Sequence, residues 1–352
     1  MFSLIRPFIF NIDPEKAHTL AIKSLKYNFV PEKFFKVENE EKLSISLFGK
    51  SIKNPIGLAA GFDKSGEVYN QMFKLGFGFV EIGTVTPKKQ FGNSKPRIFR
   101  LEKDLALINR LGFNNDGSEV VKKRIENNLP TSLLGINIGP NKETADMSED
   151  FLKCAKTFFP LGDYITINIS SPNTTGLREF HKKEVLEKLL YKINLIREES
   201  NYEKSFLLKI SPDIGEKNID EIINLILKYK INGVILTNTT DNNRENLISS
   251  NKIESGGLSG KPLTHLSTNL IKRFYKDLKN KVPIIGVGGV DSGKSAFEKI
   301  AAGASALQLY TGMVYEGPMI IKKIKSELIE ILNEKGFKNI QEAIGSYSEN
   351  ST

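Results

Sequence analysis

Polar side chains and glycines follow a series of short apolar runs, and their types suit a flat, charged organic ligand. Lys64 and Lys209 could supply positive charge to an anion, while asparagine and threonine side chains could pair with the polar edge of a heterocycle. These polar positions are residues 60–64, 83–84, 137, 168–174, 209, 237–240, 286–289 and 310–312. We expect one shared site if the fold gathers the ends of these runs.

Two glycine-rich segments, residues 286–289 and 310–312, predict a phosphate site. Glycine lets the backbone approach a ligand closely, and barrel enzymes commonly bind phosphate after their last two strands. We interpret residues 256–260 as a loop that adds to this site. FMN fits better than a dinucleotide, because the G-x-G-x-x-G pattern is not satisfied in its usual position. Each glycine-rich segment taken alone is more often an ordinary turn.

The elements that must position these residues alternate between strand-like and helix-like patterns. The apolar runs are residues 55–59, 79–82, 133–138, 164–169, 206–210, 233–237, 283–287 and 306–309. Helical periodicity lies between most of them, at residues 184–198, 219–229, 266–278 and 292–302. The repeat predicts an α/β fold, a (β/α)8 TIM barrel whose strand ends meet at one mouth, with an open doubly wound sheet as the alternative.

Smaller patterns flank this repeat and divide the chain. Residues 43–52 predict a hairpin that closes the N-terminal end of the barrel, and residues 318–332 predict a last amphipathic helix. The polar tail at 346–352 should be frayed. We therefore expect an N-terminal helical extension at 1–40, a barrel at 41–345 and the tail.

The N-terminal extension predicts two short helices. Asp13 is a suitable N-cap and Pro14 a suitable first helical residue, while residues 1–10 are mostly apolar. The following residues share one mostly apolar helical face: Ala17, Leu20, Ala21, Leu25 and Asn28. From the pattern alone these helices either cap the barrel or place an apolar face in a membrane interface.

Composition and charge exclude several classes of protein. The net charge of +9 arises from interleaved lysines and acids without a basic stripe, which disfavours nucleic-acid binding. Cys154 is the only cysteine, so no intramolecular disulfide can form, and the three histidines are too scattered to predict a metal site. No apolar run approaches the ~18 residues of a membrane span, and residues 1–10 resemble neither a secretory nor a transit peptide.

Six blocks, in order and at sensible spacing, resemble the quinone-dependent (class 2) dihydroorotate dehydrogenases from about residue 10 to 345. They are Asp-Pro-Glu-Lys-Ala-His at 13–18, Gly-Phe-Asp-Lys at 61–64, Glu-Ile-Gly-Thr-Val-Thr-Pro at 81–87, Asn-Arg-Leu-Gly-Phe-Asn-Asn at 109–115, Asn-Ile-Ser-Ser-Pro-Asn at 168–173 and the glycine-rich segment at 256–262. One departure is Thr175, which stands where the family motif usually has proline.

The resemblance implies oxidation of (S)-dihydroorotate to orotate with FMN as cofactor and a membrane quinone as acceptor, in de novo pyrimidine synthesis. It identifies Ser171 as the base, where the soluble class has cysteine, so both Ser171 and the 13–18 block favour the quinone class. Serine is a weak acid and must lose its own proton in the same step. Our hypothesis is a relay through a water and Thr174.

The resemblance also implies which residues contact each ligand. Flavin contacts would be Ala60, Gly61, Phe62, Asp63, Lys64, Thr84, Asn137, Asn168, Lys209, Thr237, Gly260, Gly289, Tyr310 and Thr311. Substrate contacts would be Lys64, Asn109, Arg110, Leu111, Gly112, Phe113, Asn168, Asn173, Asn238 and Thr239. The N-terminal helices would admit the quinone, with His18, Arg100 and Tyr310 as polar contacts. Lys64 would pair with the substrate carboxylate, and Lys209 would stabilise the reduced flavin.

Two alternatives remain at this stage. One is another FMN barrel oxidoreductase, including a soluble dihydroorotate dehydrogenase that uses fumarate or a nicotinamide cofactor. The other is a non-catalytic peripheral membrane protein built on a barrel. We expect a monomer at the cytoplasmic face of a bacterial inner membrane, and the sequence does not distinguish ubiquinone from menaquinone.

Overall fold

A computed structural model describes residues 2–27, 29, 35–37, 40–200, 204–279 and 281–349. The strands are β1 (Ile45–Leu47), β2 (Lys50–Ile52), β3 (Ile56–Leu58), β4 (Phe79–Val85), β5 (Ile98–Leu101), β6 (Ala106–Asn109), β7 (Leu133–Ile138), β8 (Tyr164–Asn168), β9 (Ser205–Ile210), β10 (Gly233–Leu236), β11 (Gly257–Gly260), β12 (Ile284–Val287) and β13 (Ala306–Leu309). The helices are α1 (Phe2–Phe10), α2 (Pro14–Lys26), α3 (Tyr69–Lys74), α4 (Ser118–Asn127), α5 (Met147–Phe158), α6 (Lys183–Ser200), α7 (Glu216–Lys228), α8 (Thr264–Leu278), α9 (Gly293–Ala301), α10 (Thr311–Glu316), α11 (Ile320–Glu334) and α12 (Ser346–Glu349).

Within the described ranges, eight parallel strands close into a barrel in the order β10, β12, β13, β3, β4, β7, β8, β9. Each of the eight predicted runs overlaps a barrel strand, so the predicted TIM barrel is confirmed. The open doubly wound sheet is excluded because the first and last barrel strands pair, with Leu307 opposite Ile56. Closure brings the C-terminal ends of all eight strands to one mouth, as the polar positions require.

The predicted helices are confirmed with ends shifted by a few residues. Helices α6, α7, α8 and α9 contain or nearly match the predicted segments, and α11 begins at Ile320 rather than at residue 318. Ser292 ends up outside α9 as its N-cap, since its hydroxyl accepts the Ser295 backbone N–H at 3.3 Å.

The hairpin of β1 and β2 closes the N-terminal end of the barrel, as predicted. Phe48 and Gly49 form its turn, and both have positive φ, at 49° and 77°. The Phe48 ring packs against the Tyr164 ring, with 5.1 Å between the two ring centroids. The Tyr164 ring lies inside the barrel. Tyr164 fits only because Gly135 lacks a side chain: a Cβ there would lie 2.0 Å from the ring.

A three-stranded antiparallel sheet of β5, β6 and β11 lies outside the barrel and was not predicted. Its third strand corrects our interpretation of residues 256–260 as a loop. The backbone of β11 pairs with β6, from Gly257 opposite Asn109 to Gly260 opposite Ala106. A side chain at Gly257 would overlap Thr239, which comes from the barrel mouth, so the sheet lies directly against that mouth.

The two N-terminal helices form as predicted and pack beside this sheet. The Asp13 side chain accepts the backbone N–H groups of Glu15 and Lys16 at 3.1 and 2.9 Å, which starts α2 at Pro14. Arg100 of β5 donates to the carbonyl of Phe10 at 3.0 Å and so holds the end of α1. Asn28, predicted on the apolar face of α2, lies outside the described residues. Across the described ranges, no helix is long and apolar enough to cross a membrane.

The prediction of a frayed tail is wrong for its first residues. Residues 346–349 form α12, because the Tyr347 ring contacts Phe297 of α9 at a centroid distance of 6.2 Å. Residues 350–352 lie outside the described part of the chain.

Candidate active site

The barrel mouth contains a cavity that we call the mouth cavity, with an empty volume of about 1160 Å³ that is partly open to solvent. It is large enough for a cofactor and a small substrate together. Of the residues expected at the flavin, the lining includes Ala60, Gly61, Lys64, Thr84, Asn168, Lys209, Thr237, Gly260, Gly289, Tyr310 and Thr311. Of those expected at the substrate, it includes Asn109, Leu111, Gly112, Phe113, Asn173, Asn238 and Thr239, and Ser171 lies among them.

Five expected residues do not line this cavity. The Asp63 carboxylate accepts the backbone N–H groups of Glu67 and Val68 at 2.7 and 2.8 Å, so it shapes the loop after β3. The Arg110 guanidinium pairs with Glu254 at 2.8 Å instead of facing the mouth. Phe62 packs against His18 of α2. Asn137 lies below the lining residue Thr84, to which it is hydrogen-bonded, and Thr174 is buried outside the lining. To affect a ligand in the mouth cavity, these five residues would have to act through a neighbouring residue or change position.

Lys64 and Lys209 are the charged groups of the mouth cavity. Within the described residues, neither ammonium has a hydrogen bond or an ion pair. Burial lowers the pKa of Lys64 to about 8. Burial also lowers the pKa of Lys209, and the negative charge of Glu81 opposes that shift. A buried ammonium without a partner is unfavourable, so both positions are suited to an anionic ligand.

A chain of side-chain hydrogen bonds runs from the barrel interior to the mouth. Glu81 accepts from the Asn137 amide at 2.8 Å, and the Asn137 oxygen accepts from Thr84 at 2.6 Å. The Asn168 amide donates to Thr84 at 3.0 Å, and the Asn168 oxygen accepts from the Ser170 hydroxyl at 2.9 Å. The side chains that contact the Glu81 carboxylate all donate to it, so Glu81 sets the orientation of the Asn137 amide and, through the Asn137 oxygen, that of Asn168.

Glu81 is a residue whose importance sequence reasoning missed. It is fully buried and also accepts hydrogen bonds from other barrel strands. The further donors are Tyr164, Thr166 and Gln308, at 3.0, 3.1 and 3.0 Å. The available signal was an acidic residue in the middle of the apolar run at 79–82, because a carboxylate is rarely buried without several donors.

Ser171 lies at the start of the base loop, which we define as residues 170–176. The side chain is 5% exposed, and its oxygen accepts the Asn173 backbone N–H at 3.2 Å. The Asn173 amide donates to the Asn109 carbonyl of β6 at 3.0 Å, which ties the loop to the three-stranded sheet. Thr174 is buried, whereas Thr175 is exposed.

The glycine-rich side of the mouth cavity offers unused backbone donors. Within the described residues, the N–H groups of Gly288 and Gly289 make no hydrogen bond. Gly289 has φ of 71°, and a Cβ there would lie 2.1 Å from the Thr264 hydroxyl oxygen at the start of α8. Two free N–H groups beside a helix N-terminus form a suitable phosphate cradle.

A second cavity, the apolar cavity, lies between α1, α2 and the barrel. Its empty volume is about 1260 Å³, and most of its lining is apolar. His18, Arg100 and Tyr310, the three residues expected at a quinone site, all line it. Tyr310 also lines the mouth cavity, as do Ile98 of β5 and Leu107 of β6. The unpredicted sheet and Tyr310 are therefore a wall shared by both cavities.

His18 lies at the inner end of the apolar cavity. Its ring packs edge-on against Phe62, at a centroid distance of 5.1 Å. Burial and the nearby charge of Lys64 lower the pKa of His18 to about 3, so the imidazole is neutral at physiological pH. A neutral imidazole can both donate and accept hydrogen bonds, which suits an uncharged oxygen-bearing ligand.

Comparison with known proteins agrees with this geometry. A family model described as dihydroorotate dehydrogenase matches residues 42–332. A dihydroorotate dehydrogenase (quinone) of Christiangramia forsetii is 47% identical over 338 residues, covering 93% of this chain and 98% of that protein. The mitochondrial dihydroorotate dehydrogenase (quinone) of Mus musculus is 42% identical over 344 residues, covering 95% and 87%. The crystal structure of an Eimeria tenella enzyme with ferulenol has a TM-score of 0.91 at 38% identity, covering 96% of each chain.

Proposed function

Because this chain belongs to the dihydroorotate dehydrogenase family, in its quinone-dependent branch, we propose that FMN and dihydroorotate share the mouth cavity and that quinone enters the apolar cavity. The chain is an oxidoreductase that oxidises dihydroorotate to orotate with a quinone as electron acceptor. One observation carries the arrangement: Ser171 and two ammonium groups, which have no partner among the described residues, line a cavity that shares Tyr310 with the apolar cavity.

The mouth cavity fits FMN through the donors that it presents. The phosphate would bind the free N–H groups of Gly288 and Gly289, with Gly260 and Thr311 beside them. Lys209 would hold the pyrimidine edge of the ring, where negative charge develops, and Thr84, Asn168 and Thr237 would contact its polar atoms. Bound FMN would supply a hydride acceptor for the substrate and an electron donor for the quinone.

Dihydroorotate is an anion, and Lys64 is placed to bind its carboxylate. The surrounding amides would pair with the polar ring edge of the substrate and fix its orientation; they belong to Asn109, Asn173 and Asn238, with Thr239 beside them. Ser171 would then take the proton from the substrate carbon while giving up its own hydroxyl proton. We propose that this proton leaves through a water and the Thr174 hydroxyl, which takes it and gives up its own proton toward solvent.

The apolar cavity and the helices around it fit a lipid-soluble quinone. Neutral His18, Arg100 and Tyr310 would contact the quinone oxygens, and the apolar walls would hold its ring and tail. Leu4, Phe8 and Leu20 on α1 and α2 are 75%, 74% and 52% exposed, so an apolar surface lies at the entrance of the cavity. We propose that this surface, within the extension at 1–40, inserts into one leaflet as a peripheral contact.

An anaerobic absorbance titration of the purified protein tests the whole proposal. We expect dihydroorotate to bleach a flavin band near ~450 nm, a generic property of bound flavin, and quinone to restore it. Fumarate or a nicotinamide should not restore the band. A colourless protein would contradict the FMN assignment, and a yellow protein that dihydroorotate does not bleach would contradict the substrate assignment of Lys64, Asn109 and Ser171.

A further inference from the structure

Arg178 connects three loops at the barrel mouth. It lies in the single helical turn Leu177–His181 that directly follows the base loop. One guanidinium nitrogen donates to Asp241, in the loop after β10, at 2.8 Å. The other terminal nitrogen donates to Asp213, in the loop after β9, at 3.0 Å. The planar guanidinium can bind two carboxylates at once, whereas a lysine ammonium is only a point charge.

The same guanidinium also reaches the two backbone segments next to the site. Its Nε donates to the carbonyl of Ser170, the residue before the base, at 3.4 Å. A terminal nitrogen donates to the carbonyl of Thr239 at 3.4 Å, and Thr239 lines the mouth cavity. Asp213 is fixed in turn by a hydrogen bond from the Thr240 hydroxyl. Arg178 therefore links the chain on both sides of Ser171 to the substrate side of the barrel.

Other contacts also hold the base loop, and at its first residue the Ser170 hydroxyl donates to Asn168 and accepts from the Asn238 amide, both at 2.9 Å. Its front is held by the Asn173 hydrogen bond to Asn109 and by contact of Pro172 with Gly257. Its back contains Thr175 and Gly176, both exposed, before Leu177. A loop without regular structure loses much conformational entropy when it is fixed in one geometry. At this back end the Leu177 backbone N–H donates to the Thr174 carbonyl at 3.2 Å, and Arg178 adds the side-chain contacts that tie the segment to the loops after β9 and β10.

We propose that Arg178 is a positioning residue that holds the base loop closed and Ser171 in register with the substrate, acting through Asp213 and Asp241. This inference rests on the proposed role of Ser171 as the base. A serine that takes a proton from carbon needs its oxygen within hydrogen-bond reach of that proton. Displacement by about 1 Å can cost on the order of 10²-fold in rate.

The test is the rate of flavin reduction by dihydroorotate, measured anaerobically by rapid mixing of the holoenzyme. Arg178→Met should reduce this rate about 10- to 100-fold, with a smaller change in substrate Kd. Arg178→Lys should be faster than Arg178→Met, because lysine keeps the positive charge. It should stay slower than wild type, because an ammonium lacks the planar geometry that binds two carboxylates. Asp241→Asn, which removes one exposed partner, should give an intermediate effect and serves if Arg178→Met does not fold.

Arg273 supplies a matched control. It also binds carboxylates, those of Asp220 and Asp277, and its side chain is 29% exposed against 26% for Arg178. It lies on the outer surface between α7 and α8, away from the mouth. Arg273→Met should leave the rate within about twofold of wild type, as surface substitutions usually do. Equal slowing of both variants would show a general loss of stability and would overturn the proposal.

Loop motion gives a second readout that does not depend on activity. The chain contains no tryptophan, so Thr175→Trp places a single tryptophan on the exposed back of the base loop. With Arg178→Met added, the time-resolved anisotropy of this tryptophan should decay faster, and with Arg273→Met it should not change. An unchanged decay in the Arg178 variant would overturn the proposal.

The two assignments fail in different ways. If Ser171→Ala is slow and Arg178→Met reduces flavin at the wild-type rate, Ser171 keeps its role and the positioning role of Arg178 is wrong. If Ser171→Ala reduces flavin at the wild-type rate, the base assignment is wrong and the role of Arg178 falls with it.

Discussion

Lys64 shows how burial prepares one side chain for a charged ligand. Its ammonium has no carboxylate partner among the described residues, and burial lowers its pKa to about 8. The largest opposing influence is the charge of Glu15, which raises the pKa of Lys64 but makes no ion pair with it. An arriving carboxylate therefore supplies the missing partner and favours the charged ammonium.

Orotate binding should consequently weaken as pH rises. The Lys64 ammonium is charged below its pKa and loses its proton above it. The Kd of orotate should therefore rise about tenfold per pH unit above about pH 8. Lys64→Gln should bind weakly at every pH and lose this slope. Spectroscopic titration of the holoenzyme measures both, with Lys89→Gln, an exposed lysine of a neighbouring loop, as control. A pH-independent Kd in the wild type would contradict the assignment.

Thr174 and Thr175 offer a direct comparison of a buried and an exposed hydroxyl. If Thr174 receives the proton that leaves Ser171, Thr174→Ala should slow flavin reduction and change its pH profile, by roughly 10²-fold if the relay acts as a general base. Thr175→Ala should do neither. Stopped-flow measurement of the flavin-reduction rate across pH tests this. Equal rates and equal pH profiles for the two variants would remove Thr174 from the mechanism.

At the scale of elements, α1 and α2 present two different sides, one to the apolar cavity and one to solvent. The inner sides line the apolar cavity with Ala17 and Leu25, while the outer sides expose Leu4 and Phe8. Such exposed large apolar side chains on adjacent helices indicate an interaction surface rather than a solvent-facing one. The placement of these helices depends on contacts with the barrel, among them the Arg6 hydrogen bond to the Tyr315 carbonyl at 3.1 Å.

Membrane contact through these helices predicts a local effect of charge. Phe8→Glu should weaken binding to lipid vesicles by about 10- to 100-fold, because one buried aromatic side chain contributes about 1.5–3 kcal/mol. Leu129→Glu changes a residue of similar exposure, 70%, in the loop after α4 and should leave binding unchanged. Vesicle flotation measures both, and equal binding of Phe8→Glu and wild type would rule out insertion through α1.

At the scale of the whole molecule, Glu81 links the stability of the barrel to the order of the site. Donors from β7, β8 and β13 converge on this one carboxylate of β4, inside the barrel. The same carboxylate orients Asn137 and, through it, the amides that face the mouth cavity. The closed barrel thus supplies a rigid interior from which the site is built outward.

Replacing this carboxylate by its neutral isostere should be costly. Glu81→Gln has one acceptor oxygen for several donors, so we expect the free energy of unfolding to fall by about 1–3 kcal/mol. Urea denaturation measures this, with Glu330→Gln on the exposed side of α11 as control. We also expect weaker FMN retention in the Glu81 variant. Identical unfolding midpoints for the two variants would contradict the interpretation.

The sequence alone determined the eight barrel strands, the main helices and most of the residues that line the mouth cavity. It could do so because strand and helix periodicity is local, and because strand ends must meet once a barrel closes. The cap of α2 at Asp13 and the hairpin at residues 43–52 are equally local. The resemblance of the sequence blocks added the reaction and its acceptor.

Only the tertiary structure decided the features that depend on contacts between distant residues. Residues 257–260 became a strand because β6 offers an unpaired edge 150 residues earlier in the chain. Glu81 and Arg178 acquired their partners from other strands and loops, and Arg110 turned away from the mouth to pair with the distant Glu254. Such pairings are set by packing and electrostatics across the closed barrel, which no periodicity in the sequence records.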